Sequence, residues 1–262
     1  IEERVKSILT SNDSPDIAFD LSINPYRGCE HGCVYCFARP THSYLNLSPG
    51  IDFETRIVAK VNAAQRLHEA LAHRGYEPLM LNIGSATDAY QPFERKAQLT
   101  RALLKVALET GHPLSVVTKS SLVVRDIDLW TELAGRNLAH IGISLTTLDG
   151  QLARQLEPRA SAPRARLDAM QKLSDAGIPV SVCGEMAGDV AMTRLLLGLG
   201  LRSFSMHPSQ ILPVKEQLFG LSTKDAARLA ARVLRESDPI RIRAALDHRR
   251  EPPAQQPVRS AA

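Results

Sequence analysis

No apolar run in the 262 residues is long enough to cross a bilayer, so no membrane partner is implied. A secretory signal is missing as well: the N-terminal IEERVKSILTSNDSPD is charged and has no apolar core. The expectation is therefore a reducing cytoplasm, where paired disulfides do not form. Cysteine is scarce, with four in the chain, and its chemistry here therefore reads as metal, redox or nucleophile. Nor does one sign of charge dominate. The 32 Lys and Arg are interspersed with 28 Asp and Glu, and a net charge of +4 with pI near 9.0 describes an ordinary solvated surface better than a nucleic-acid face.

With 44% hydrophobic and 23% charged residues, the composition is globular and allows a sizeable core, in one large α/β domain or two small ones. Six strand-like runs occur: LSIN (21–24), LMLNIG (79–84), LSVVTK (114–119), HIGISLTT (140–147), PVSVCGE (179–185) and RSFSMHP (202–208). Helix-period segments lie between them, which predicts βαβ units on a parallel sheet and an open or partial (β/α)6 barrel. Apolar positions Ile57, Val61, Ala64, Leu67 and Leu71 predict one helix from Glu54 to Arg74, stopped by Gly75. Others are predicted from Glu94 to Thr110 before Gly111, and from Arg164 to Ala176 before Gly177. Ser222 and Asp225 have capping-box-like spacing at the start of a further helix. The proline-rich end, EPPAQQPVRSAA, reads as a disordered tail.

Function in such barrels gathers in the loops at the C-terminal ends of the strands. The first of these loops carries INPYRGCEHGCVYCFARPTH (23–42), with Cys29, Cys33 and Cys36 spaced C-x3-C-x2-C. Thiolates so close converge only if the backbone curls tightly, which Gly28 and Gly32 permit. A zinc site wants four protein ligands and could recruit His31 or His42, although no second ligand pair of the zinc-knuckle kind exists. An iron-sulfur cube held by three cysteines leaves one iron open for a substrate or cofactor.

This spacing, with aromatic Tyr35 just before the last cysteine, resembles the signature of the radical S-adenosylmethionine (SAM) superfamily. More closely, NPYRGCEHGCVYCFARPTH, DFETRI, DAYQPFER, VTKS, RDIDL, SLTTLD and LEPRASAPRARLDAMQKLSDAGIPV resemble a bacterial group related to spore photoproduct lyase, over roughly residues 1–180. The resemblance implies a [4Fe-4S] cluster on Cys29, Cys33 and Cys36, SAM on the fourth iron, and an electron donor of flavodoxin or ferredoxin type. It places Tyr35 against the adenine, Ser85, Thr87 and Asp88 near the SAM amino group, and Ser144 and Thr146, with Thr147, near the ribose. Each has a plainer alternative: a capped turn before Pro92 for the first group, and good strand residues for the second. Lys119 would offset cofactor carboxylate charge, and Glu157 with Arg159 would form an ion pair or anion clamp. A nucleic-acid substrate follows only by analogy with fold relatives.

From about Ser181 a second resemblance takes over. VCGEMAGD and GLGLRSFSMHPSQILPVK are similar to the last two βα units of the phosphoenolpyruvate-binding barrel of enzyme I of the bacterial sugar phosphotransferase system, over about residues 181–246. The chain thus reads as a chimera: a radical SAM-like portion (1–180), an enzyme I-like portion (181–246) and a tail (247–262). By that analogy Cys183 would be a catalytic acid, but the strands supplying its arginines and metal-binding carboxylates are not in the sequence, and an inert buried thiol is the plainer reading. His207 is a remnant or a cap before Pro208. Three functions remain: a radical SAM enzyme, a non-catalytic chimera that folds or binds a cluster, and a fragment of a phosphoenolpyruvate-protein phosphotransferase.

Overall fold

The computed structural model describes residues 1–12, 19–236 and 238–247. A seven-stranded sheet forms its centre: β1 (Leu9–Ser11), β2 (Leu21–Ile23), β3 (Leu81–Ile83), β4 (Leu114–Thr118), β5 (Ala139–Ser144), β6 (Val180–Cys183) and β7 (Ser203–Phe204). Strands β2 to β7 are parallel and lie side by side in chain order, while β1 adds an antiparallel edge. Registers such as Ile23↔Ile83↔Val116↔Ile141 align apolar residues across the sheet. All six predicted strands are present, and their sequential order with unpaired ends is that of an open (β/α) barrel. The edge strand β1 was not predicted.

Strands covered on both faces read as nearly unbroken apolar runs, and here Leu81, Ile83, Val116, Ile141, Ile143 and Val182 are almost completely buried. They pack with residues of α1 (Ala63–Leu71), α2 (Leu99–Thr110), α3 (Ile127–Gly135), α5 (Pro163–Asp175), α6 (Val190–Gly198) and α8 (Thr223–Val233) in one hydrophobic cluster. Two further helices, α4 (Gly150–Leu156) and α7 (Pro208–Phe219), follow β5 and β7, and α9 (Pro239–Asp247) follows α8. The cluster includes Leu195, Leu196, Leu229 and Val233 together with Val116 and Trp130, so residues on both sides of the predicted junction share it.

Two predicted helices need correction. Residues 54–74 are not one helix: a turn at Ile51–Thr55 is followed by a strand, Val58–Lys60, and α1 starts only at Ala63. That strand pairs with Glu2–Glu3 and Tyr26–Arg27 in a small second sheet, burying Ile57 and Ala59 against Tyr26. Gly75 lies beyond the helix it was to stop. The second helix is broken at Gln98, where φ is 51°, because the Glu94 carboxylate accepts the Thr100 N–H at 3.1 Å and starts α2 afresh. Gly111 and Gly177 do follow α2 and α5 with left-handed φ, and Ser222 Oγ accepts the Asp225 N–H at the head of α8. The tail read from 247 onward lies, Asp247 apart, outside the described residues. No helix among the described residues is long and apolar enough to cross a membrane.

Candidate cofactor site

The cysteine loop leaves the C-terminal end of β2 and is tied back at once. The Cys29 N–H donates to Phe53 O at 2.9 Å, and Gly28 O accepts from Thr87 Oγ1 at 2.6 Å. Gly28 has φ of 83°, and a Cβ there would lie 2.7 Å from Phe53 O, so this position has room for glycine alone. Arg39 donates to Cys33 O from Nε (3.1 Å) and Nη2 (2.9 Å) and pairs with Glu54 at 2.6 Å. Arg159 also pairs with Glu54 and donates to Glu30 O. Two guanidinium groups on one carboxylate therefore clamp the loop, and they hold the Glu54 carboxyl below its usual range although burial opposes them.

Cys29, Cys33 and Cys36 line one cavity of about 300 Å³ with Ser85, Thr87 and Asp88, at the C-terminal ends of β3 and β4. None of the three thiols is in a disulfide. Burial pushes Cys33 up to about 12 and raises Cys36, so a thiolate at either needs a cation beside it. Among the described residues no three His, Cys, Asp or Glu side chains could hold one metal ion. In an iron-sulfur cube each cysteine binds its own iron, and thiols spread around a cavity suit that group better than a single zinc.

Asp88 is built into the floor of this cavity. Its carboxylate accepts from Tyr90 N (2.8 Å), Thr118 Oγ1 (2.6 Å) and Lys119 N (2.8 Å), and His31 Nδ1 lies 3.2 Å away, out of line for a hydrogen bond. Burial alone would raise the Asp88 carboxyl, but the His31 charge and these donors hold it well below its usual range. His31, for its part, is raised to about 10: burial would lower it, and the Asp88 charge prevails. Ser85 Oγ accepts from Asn24 Nδ2 at 2.9 Å, and Thr87 Oγ1 is spent on the loop.

Tyr35, Ser144 and Thr146 lie apart from that cavity's lining. The half-exposed Tyr35 donates its hydroxyl to Glu157 and sits 3.3 Å from Thr146 Oγ1, with Lys119 Nζ 5.8 Å over the ring. Burial and the Glu157 charge push its phenol up. Glu157 pairs with Arg166 and not with Arg159, which corrects the predicted pairing. Buried Ser144 accepts Arg166 Nη1 at its carbonyl, at 3.0 Å. Thr146 and Thr147 line a second cavity of about 510 Å³ with Met186, Asp189 and Arg243. Cys183 is half-buried at the end of β6, its thiol raised by burial, and does not line the cysteine cavity. His207 caps α7, accepting the Ser209 N–H at Nδ1. Arg39, Glu54, Arg166 and Gln91, which accepts the Glu30 N–H at 2.9 Å and donates to Gly28 O at 3.3 Å, were not singled out from sequence; the quoted motifs DFETRI, DAYQPFER and LEPRASAPRARLD contain three of them and were the available signal.

An open parallel barrel with three thiols on the loop after its first parallel strand defines a class, and the comparisons agree with it. Residues 23–189 match the radical SAM superfamily, and the chain belongs to that family. An uncharacterized protein of Mycobacterium tuberculosis is 37% identical over 166 residues, 63% of this chain and 49% of its own length. The chain thus spans about half the length of this curated relative. A phosphoenolpyruvate-protein phosphotransferase of Cupriavidus necator is 37% identical over 126 residues, 48% of this chain and 21% of that protein. Fewer residues than that follow Asp189, so the two similarities overlap. Spore photoproduct lyase, solved with AdoMet and a dinucleoside spore photoproduct, shares the fold with a TM-score of 0.54 at 17% identity, covering 84% of this chain and 66% of that one.

Proposed function

We propose that this chain holds a [4Fe-4S] cluster on Cys29, Cys33 and Cys36, binds S-adenosylmethionine beside it and cleaves it reductively. The observation that carries this reading is the shared cavity, where three free thiols meet Ser85, Thr87 and Asp88 at the C-terminal ends of parallel strands in a radical SAM chain. When bound, the cluster supplies the electron that opens the SAM sulfonium and frees a 5′-deoxyadenosyl radical to abstract hydrogen from a substrate. The chain's own residues bind and orient. Arg39 and Arg159 fix the loop through Glu54, Phe37, Ala86 and Val117 supply apolar lining, and Lys119 on the same cavity offsets carboxylate charge. Ser85 and Asp88 serve the SAM amino group, with Thr87 beside them holding the loop through Gly28 O; Tyr35, Ser144 and Thr146 serve the adenosine side. A flavodoxin- or ferredoxin-type protein would deliver the electron. Because spore photoproduct lyase is solved with a dinucleoside photoproduct, a nucleic acid is the substrate class to try first.

We read residues 1–180 as the radical SAM-like portion and 181–246 as the portion that resembles the phosphotransferase barrel by its motifs, the full similarity to the phosphotransferase reaching back into the radical SAM match. That second similarity favours one rival, a chain that holds a cluster without turnover, because β6, β7 and their loops then come from an enzyme of different chemistry. One experiment separates the two. Protein purified without oxygen is reconstituted with iron and sulfide, reduced, and given SAM. 5′-Deoxyadenosine supports the enzyme, a cluster without it supports the rival, and no iron uptake overturns both.

A further inference from the structure

We propose that the buried Glu157–Arg166 ion pair is a positioning device for the last turn of the cysteine loop, acting through the hydroxyl of Tyr35. The inference rests on the reading of Cys29, Cys33 and Cys36 as the cluster ligands. Val34, Tyr35 and Phe37 are all exposed, so the apolar anchorage of this turn is confined to Cys36, packed on the small cluster of Cys29, Ala38 and Phe53. Its ties to the barrel are polar. Val34 N donates to Leu156 O at 3.0 Å, and Tyr35 reaches Glu157 and Thr146. Both attachments meet the chain at the end of α4.

Glu157 can serve as a fixed acceptor because Arg166 immobilises it. Their side chains are 1% and 2% exposed, and a carboxylate so buried is costly unless paired. Arg166 gives Nη2 to Glu157 Oε2, Nε to Ser161 O at 2.8 Å and Nη1 to Ser144 O at 3.0 Å, so each of its three nitrogens is engaged. The other Glu157 oxygen takes Tyr35 and Thr146. The sequence pattern supplies Tyr35 between Cys33 and Cys36, and this arrangement gives its hydroxyl a fixed charged acceptor in Glu157. Glu157 and Arg166 are positioning residues, since neither lines the cysteine cavity.

The test uses Tyr35→Phe and Glu157→Gln in the full chain, with peptide-resolved alkylation of the apo protein by iodoacetamide and the spectrum of the reconstituted cluster as readouts. Losing one hydrogen bond to a charged group should speed alkylation of Cys36 by roughly tenfold. Cys183, at the end of β6, is the internal reference and should keep its rate in Tyr35→Phe. After reconstitution, both variants should hold less iron than the parent, with a changed electron paramagnetic resonance signal of the reduced cluster. Parent-like Cys36 rates in Tyr35→Phe overturn the proposal, even if Glu157→Gln fails to fold; so does an equal rise at Cys183, which would mean general loosening. A parent chain that takes up no iron overturns the assigned function instead, because the alkylation rates are read without a cluster.

Discussion

The guanidinium of Arg159 fills the space that a side chain at Gly32 would need: a Cβ there would lie 2.4 Å from Arg159 Nη2, and φ at Gly32 is 68°. Any other residue there would be strained and would have to displace the Arg159 guanidinium. Gly32→Ala should therefore lose about 1–3 kcal/mol from backbone strain and from displacing Arg159 off Glu54. Denaturant midpoints check the loss. Iron uptake should fall in the same variant, since Arg159 also donates to Glu30 O within the loop.

The thiols should divide three to one. Alanine at Cys29, Cys33 or Cys36 should abolish the visible absorption of the reconstituted cluster, because each lines the shared cavity. Cys183→Ala should leave it intact. Iron and sulfide analysis of the four variants decides, and cluster loss in Cys183→Ala would mean that the C-terminal portion completes the site.

Acid should weaken the fold through Glu157. Its carboxyl is held below the ordinary 4.5 by Tyr35, Arg166 and Thr146 against the effect of burial. A group lowered on folding contributes stability above its unfolded pKa and loses it as pH falls through the folded one. Urea unfolding of the apo protein should thus be nearly flat between about pH 5 and 6, below the range in which His31 loses its own contribution, and decline below about 4.5. Glu157→Gln should be less stable at neutral pH and show a shallower acid decline.

Asp126, just before α3, is fully buried between Arg101 at 2.7 Å and Arg125 at 2.6 Å, and Arg125 also pairs with buried Glu94 at 2.8 Å. Removing the charge of Asp126 takes away the carboxylate shared by the two guanidinium groups, although Arg101 keeps Asp128 at 2.7 Å and Arg125 keeps Glu94. Asp126→Asn should cost about 1–3 kcal/mol, the scale for a buried hydrogen bond to a charged group, as read from equilibrium unfolding.

These residues mark how far the sequence could be read. The six parallel strands were legible because burial on both faces makes them apolar runs, and the cysteine loop because its spacing is local. Val58–Lys60 read as helix because its strand partners, Glu2–Glu3 and Tyr26–Arg27, lie far away in sequence. Tyr35 could be assigned by motif to an adenine, but its tie to Glu157 spans 122 positions and exists only once α4 returns to the loop. Glu157 and Arg159, neighbours in sequence, invite a pairing that folding refuses, since Arg159 faces Glu54 and Glu157 faces Arg166.

The last prediction concerns the junction. Gly198 ends α6 where it crosses α8, and a Cβ there would lie 2.1 Å from Ala226 O and 3.0 Å from the Ala230 side chain. The φ of Gly198 is not in the left-handed region, so Gly198→Ala acts through the contact alone and should push α8 outward, costing about 1–3 kcal/mol. Leu195, Leu196, Leu229 and Val233 share a core with Val116, Ile141 and Trp130, so the strain should be felt by the whole chain. Near-UV circular dichroism, reporting Trp130, and far-UV circular dichroism should then shift together to one lower midpoint. Separate transitions, with the Trp130 signal unmoved, would mean that the radical SAM-like portion folds without the segment that follows it.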